Sequence, residues 1–448
     1  MLQAIRKSPQ PTFHHGVHPE ENKGRTNRLP VARMPFVGEY VLPLSQHLGA
    51  PSPPIVVPGQ RVERGEAVAR PGGFVSVSLH SPVTGTVKAI ELRPHPNGKL
   101  MPAVVVQADP FASQRDQFPA VPDPLLSARE TVLQHIQSSG MVGLGGAAFP
   151  SHVKAKVPDG KRVQFAVLNG CECEPYLTCD HRVMVENPGD VIRGFQILLS
   201  LVGAERGYIG VELNKADAIA ALRAAVGRAP LPIEILGLEV KYPQGAEKML
   251  LDAIFHREVP SGKLPLDLEI VVNNVGTAAA IAQYFDTGKP LIERVVTVTG
   301  DAVSRPANLL VPIGTPVSAV LEHCGLRQGE ARQVIVGGPM MGLAQKDLDV
   351  PVLKGTSGIL AFTSETVRVQ AEMPCIRCGR CLDACPVFLN PSRLAMLVRT
   401  ESVDELERYH LLDCFECASC SFVCPSSIPL VQLMRVGKGL IRQKKSSK

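Results

Sequence analysis

Apolar and polar positions alternate along the chain in several rhythms, and each predicts a different kind of structure. Up to about residue 110, Pro, Gly and Val are frequent, and the runs at 74–79 and 104–106 set apolar side chains on strand faces. A small β domain over 40–110 is expected there, after an N-terminal extension of 1–39. From Ser127 the apolar spacing becomes helical, with Ser127 and Glu130 placed as a capping box and Gly140 as the stop. Strands and helices then alternate: strand 165–168, helix 191–202, strand 208–213, helix 216–226 with Asn214 as N-cap, strand 233–240, helix 246–255 and strand 268–273. Alternation of this kind predicts an α/β domain over 125–290 with a largely parallel sheet. Residues 291–350 read as strands 295–299 and 334–336 around a helix at 317–323. A helix over 391–409, apolar at Leu394, Met396, Leu397 and Leu406, is expected inside a fourth unit of 365–435.

Composition narrows this picture. The chain has 448 residues, 45% hydrophobic and 20% charged, as in globular multidomain proteins. Its longest apolar stretch, 195–204, falls well short of the roughly 18 residues that span a bilayer, and the first residues lack the apolar core of an export signal. A formal charge of +5 gives no ground for nucleic-acid binding. Positive charge gathers instead at 436–448, where Lys438, Arg442, Lys444, Lys445 and Lys448 follow the apolar run 428–434. A solvated basic tail is the plainer expectation; docking on an acidic partner or an anionic membrane face is the sharper one.

Twelve cysteines without an export signal argue for ligation over disulfides. Eight of them form two runs, Cys375-x2-Cys378-x2-Cys381-x3-Cys385-Pro386 and Cys414-x2-Cys417-x2-Cys420-x3-Cys424-Pro425. This is the spacing of two-cluster bacterial ferredoxins: three thiolates curl around one [4Fe–4S] cubane and the fourth completes the other. One cluster is therefore assigned Cys375, Cys378, Cys381 and Cys424, the other Cys414, Cys417, Cys420 and Cys385. Zinc sites also use Cys-x2-Cys pairs, but they need neither a third cysteine at the next step nor a terminal Cys-Pro. Two adjacent clusters make a wire for single electrons, which requires a donor. Cys171, Cys173 and Cys179 match no cluster spacing, His14, His15 and His18 read as a surface-packed loop, and Cys324 as core.

Glycine-rich or polar residues recur at the strand-to-helix junctions of the α/β domain. They comprise Gly143, Gly145, Gly146, Phe149 and Lys154, then Asn169-Gly-Cys-Glu172-Cys-Glu174-Pro175, Gly245-Ala246-Glu247, and Asn273-Asn274-Val-Gly-Thr277. Glycines let backbone N–H groups approach a planar or anionic ligand, and ligands of open α/β sheets bind at the carboxyl ends of strands. A shared pocket explains these junctions better than independent turns. Upstream, 58–65 and 81–87 resemble the barrel-sandwich hybrid of lipoyl and biotinyl domains, without the lysine that carries the prosthetic group there. The 291–350 unit is compatible with a β-grasp (SLBB) module.

Taken together, the run from Gly143 to Lys154, the Asn169 to Pro175 segment and Asn273-Asn274 resemble the NADH-binding flavoprotein of respiratory complex I. The resemblance is closer to the RnfC family, the NADH-oxidising iron–sulfur flavoproteins of ion-translocating Rnf complexes. It extends over nearly the whole chain, from the segment Phe13-His-His-Gly16-Val-His18-Pro-Glu-Glu-Asn22-Lys23 to the paired cysteine runs. It implies noncovalent FMN held by the Gly143–Gly146 loop, Lys154, Asn169, Glu172, Glu247, Asn273, Asn274 and Thr277. NADH would be the substrate, with Phe149 and Glu174 as its contacts. Complex I has Gly-Glu-Glu where this chain has Gly245-Ala246-Glu247, so only Glu247 carries over. The family implies a peripheral place on the cytoplasmic face of the bacterial inner membrane. Its partners would be a ferredoxin-like cluster protein and integral membrane subunits. A cobalamin reductase of a bacterial microcompartment, which tends to begin at the flavin domain, and an electron-transfer scaffold with a decayed flavin site are the alternatives.

Overall fold

The computed structural model describes residues 10–227, 231–327, 329–367 and 370–446. The first nine residues and Lys448 lie outside them.

The first module is a four-stranded antiparallel sheet in the order Glu39–Pro43, Leu100–Ala108, Gly85–Pro94, Arg61–Val62, faced by the pair Ala67–Ala69 and Leu79–His80. Tyr40, Leu42, Val62, Val87, Val104 and Val106 are buried between them. The strand expected at 74–79 is reduced to its last residue, because other partners take its backbone groups. The Val77 N–H goes to His47, the Val77 carbonyl to Ser52, the Ser76 carbonyl to Gln137 and the Ser78 carbonyl to Lys354.

The α/β module has four strands, all parallel, in the order Ile233–Leu238, Arg206–Glu212, Phe165–Asn169, Ile270–Asn274. Helices Pro188–Val202 and Val275–Thr287 pack together on one face so closely that a Cβ on Gly194 would stand 1.8 Å from the Ala278 carbonyl oxygen. Two expected caps are not formed. Ser127 donates to the Asp123 carbonyl, and the helix Arg129–Ser138 starts at Ala128 without a side-chain cap. Asn214 sits in a 3-10 turn, Leu213–Lys215, where Glu21 and Lys215 engage its amide.

A six-stranded mixed sheet follows: Val31–Arg33, Ala307–Pro312, Glu293–Thr299, Gly358–Thr363, Ala331–Val336, Leu343–Gln345. It draws one strand from the N-terminal extension and one from beyond residue 350, both long-range pairings that local periodicity does not carry.

In the last module the helix expected over 391–409 is two helices, Pro391–Arg399 and Val403–Arg408, broken where Glu401 adopts a left-handed φ of 51°. The expected tail is instead the second half of helix Leu430–Ser446. Met434 and Ile441 are buried on it, and a Cβ at Gly437 would meet Leu411 and Val398 at 2.6 Å. Four of its cations are paired within the module: Arg435 and Lys438 with Glu416, Lys444 with Asp404, Lys445 with Glu407. Among the described residues no helix is long and apolar enough to cross a membrane.

Candidate functional site

The parallel strands end at one edge, and there the polar junctions converge. Asn169 and Asn274 are register partners at the ends of neighbouring strands. The Asn169 amide donates to the Gly245 carbonyl (2.7 Å), and its oxygen accepts the Cys171 N–H (3.1 Å). Asn274 caps the helix Val275–Thr287 by accepting the Thr277 N–H, while its NH2 donates to Asp180 Oδ2 at 2.6 Å. Above this pair opens a cavity of about 400 Å³.

Gly145, Asn169, Glu172, Glu174, Glu247 and Asn274 line that cavity. The other expected contacts stand one step back. Asn273 pairs with Leu168 and, by strand alternation, faces away from Asn274. The Thr277 hydroxyl accepts the Leu144 N–H (2.9 Å) and anchors the glycine loop, which the Gly143 N–H closes onto the Phe149 carbonyl (2.8 Å). Gly146 is exposed at the crest of the loop with φ +105°. Lys154 reaches the cavity only through Glu247, 2.9 Å away in an ion pair.

Several wall residues had no place in the sequence expectations, among them Asp180, Tyr242, Met341 and Phe415. Asp180 opens the helix Cys179–Glu186, where the Glu172 carboxylate accepts the Asp180 and His181 N–H groups (2.8 and 3.1 Å). The nearby acidic junction was its only sequence signal. Met341 and Phe415 come from other modules and gave none.

The acidic loop is held from both sides. The buried Lys23 ammonium donates to the carbonyls of Glu172, Glu174 and Leu177, and burial lowers its pKa. Both Glu174 carboxylate oxygens accept N–H groups from the β-grasp loop, Met340 at 3.0 Å and Met341 at 2.8 Å, and burial lifts Glu174 to about 7. Burial pushes the thiols of Cys171, Cys173 and Cys179 upward, and Cys173 Sγ accepts the Gly245 N–H at 3.2 Å.

The cysteine module touches this cavity directly. Phe415 is part of its wall, and the Tyr242 hydroxyl donates to the Cys417 carbonyl at 2.8 Å. Cys385, from the first run, shares one small cavity with Cys414, Cys417 and Cys420 from the second. Cys424 lies within charge range of Cys381, and Cys375 and Cys378 are exposed. His15 Nδ1 is 3.1 Å from the Cys385 carbonyl oxygen and its ring packs against Phe388, while His18 Nδ1 is 3.2 Å from the Val240 carbonyl oxygen, so the histidine segment bridges the cysteine and α/β modules.

The donor sets fit the groups expected. Thiolates bind iron–sulfur cubanes. The edge cavity suits a flavin: glycines keep its wall low, since a Cβ at Gly245 would crowd Cys173 Sγ at 3.2 Å, and two amides face it.

Four family models match in chain order: the RnfC barrel-sandwich hybrid domain over 11–110, the Nuo51 FMN-binding domain over 136–283, the SLBB domain over 295–344 and a 4Fe-4S dicluster domain over 373–428. Among solved structures the fold is similar to that of a chain of an NAD+-reducing [NiFe]-hydrogenase, with a TM-score of 0.51 at 19% identity. The match covers 72% of this chain and 63% of that one, less than two thirds. Fold and site thus define an iron–sulfur flavoprotein of the complex I type, with FMN and [4Fe–4S] clusters as its cofactors.

Relatives give the family. The C component of the proton-translocating ferredoxin:NAD(+) oxidoreductase complex of Clostridium ljungdahlii is 43% identical over 90% of this chain and 88% of its own length. Its counterpart in the Na(+)-translocating complex of Acetobacterium woodii is 43% identical over 95% and 96%. The chain belongs to the RnfC family of these ion-translocating oxidoreductases, and is one subunit of a multi-subunit complex.

Proposed function

We propose that this protein oxidises NADH at FMN in the edge cavity and passes electrons singly through two [4Fe–4S] clusters to a ferredoxin-like partner. The complex would lie with this subunit on the cytoplasmic face of the membrane, held by integral membrane subunits. The observation that carries the reading is the shared wall: Phe415 lines the cavity, and Tyr242 bonds the Cys417 carbonyl. FMN supplies the exchange between a two-electron hydride and single electrons. The chain aligns the reactants: Asn169, Asn274 and Gly145 hold the ring system, and Glu247 with Lys154 brackets one end. The cluster of Cys385, Cys414, Cys417 and Cys420 then stands next to the flavin. The cluster of Cys375, Cys378, Cys381 and Cys424, with two exposed cysteines, is the exit to the partner. The match over residues 11–110 to the RnfC barrel domain supports this assignment over a cobalamin reductase.

Anaerobically purified protein tests it. Iron, sulfide and released FMN should count as two cubanes and one flavin, and NADH should bleach the flavin absorbance. Flavin that NADH does not bleach would sink the donor assignment.

A further inference from the structure

Oxidising NADH yields NAD+, two electrons and one proton. The clusters take only the electrons, so one proton per NADH must leave the edge cavity. Asp180 stands between that cavity and a second one. It lines the edge cavity and also a second cavity of about 150 Å³, whose wall includes the exposed Asn187 and Gln283 and therefore reaches solvent. Its Oδ2 accepts from Asn274, itself a wall residue of the first cavity.

We propose that Asp180 is the relay that takes the proton released in the edge cavity and passes it through the second cavity to solvent. The proposal rests on the NADH-oxidising reading above. The other acids at the edge cavity are engaged elsewhere, Glu247 in its ion pair with Lys154 and outside the second cavity. Glu172 accepts the two N–H groups that begin the Cys179–Glu186 helix, and Glu174 is tied to Met340 and Met341 and does not line the second cavity. The charged groups facing Asp180 are Glu172 from the acidic loop, Arg294 from strand Glu293–Thr299 and Lys215 from the turn Leu213–Lys215, with Cys179 beside it on its own helix. Burial first, then repulsion from Glu172, raises Asp180 to about 7, against the pull of Asn274, Arg294 and Lys215. A relay group works best when its pKa lies near the operating pH.

The test uses the full chain carrying both clusters and FMN, with NADH as donor and ferricyanide as one-electron acceptor. A pH-indicator dye reads proton release in stopped flow. In Asp180→Asn, proton release per bound FMN, with flavin content read by fluorescence quenching, should slow about 100-fold and lose its inflection near pH 7. Asp180→Glu should restore most of the rate. Unchanged release and inflection in Asp180→Asn, with normal FMN uptake, would overturn the relay alone. Loss of FMN uptake, with the pH profile intact in the flavin-loaded fraction, would make Asp180 a flavin-positioning residue and also overturn it. Wild-type protein that takes up no FMN would overturn the flavin assignment itself.

Discussion

Cys414, Cys417 and Cys420 lie within one short run and share a small cavity with Cys385, beside the core of Leu394, Leu397, Leu406, Leu411 and Met434. The edge cavity takes side chains from Gly145 to Phe415, from three modules, and holds them with directional bonds: Asn169 to Gly245, Asn274 to Asp180, Glu174 to Met340 and Met341. The first site is set by covalent spacing and survives small shifts between modules. The second exists only while the modules stay docked. Damage at the junctions should therefore empty the flavin site and spare the clusters, and damage to a cysteine should do the reverse.

The largest expected effect breaks the cysteine side. Cys417→Ser should lower iron from about eight to about four per chain and leave FMN bound. Cys385→Ser should remove the same cluster although it belongs to the other run, and the double variant should lose no more iron than either single one. Iron counting decides this; a double variant with no iron would end the crossed assignment.

Next in size is the lock at Glu293. Its carboxylate meets Arg64 from the barrel, Arg33 from the N-terminal extension and Lys289, and Asp116 joins through Arg64. Arg64 and Glu293 are both buried, so Glu293→Gln strands cations and should cost about 3 kcal/mol at neutral pH. Burial acts to raise the Glu293 pKa, but Lys289 and Arg64 outweigh it and hold the carboxyl below its usual 4.5. A depressed carboxylate pKa gives stability that is complete above 4.5 and is lost as pH falls through the lower folded value. The gap between wild type and Glu293→Gln, read by hydrogen exchange along Glu293–Thr299, should therefore be full at pH 7 and shrink below pH 4.5. A gap that widens with acid would contradict this sign.

The same contrast explains what the sequence made legible. Cysteine spacing is a local signal, so the two-cluster domain could be read from it, and the alternating α/β pattern placed Asn169 and Asn274 at strand ends. Strand alternation then separated Asn273 from Asn274, a one-residue distinction that the motif Asn-Asn hides. Lys23, Met341 and Phe415 reach the site by long-range docking, which leaves no periodic trace. Glu401 turned one expected helix into two because a left-handed residue carries little composition signal outside glycine.

Gly338 tests the junction without touching a cluster. A Cβ there would stand 2.3 Å from Glu174 Oε2, so Gly338→Val must dislodge the bond between the acidic loop and the β-grasp loop. FMN affinity should fall about tenfold to a hundredfold, or about 1.4–2.8 kcal/mol, with iron content unchanged. Equal loss of iron and flavin would show that the two sites do not fail separately.

The smallest expected effect is at the seam itself. Tyr242 is buried, and its hydroxyl donates to the carbonyl of Cys417, a proposed cluster ligand. Burial raises the phenol pKa well above its ordinary value, so the hydroxyl stays protonated and a donor throughout the working pH range. Tyr242→Phe keeps the ring and removes that one bond, leaving a carbonyl without its donor at a cost of about 1 kcal/mol. Iron and FMN contents should stay at wild-type levels, while hydrogen exchange at Ala418 to Cys420 should speed up roughly fivefold, the same cost expressed as local opening. If exchange is unchanged, the seam is held by apolar packing around Phe415 and the hydroxyl contributes nothing to it. If iron is lost, the cysteine run depends on its neighbour, and the contrast between a self-contained site and an assembled one fails at this point of contact.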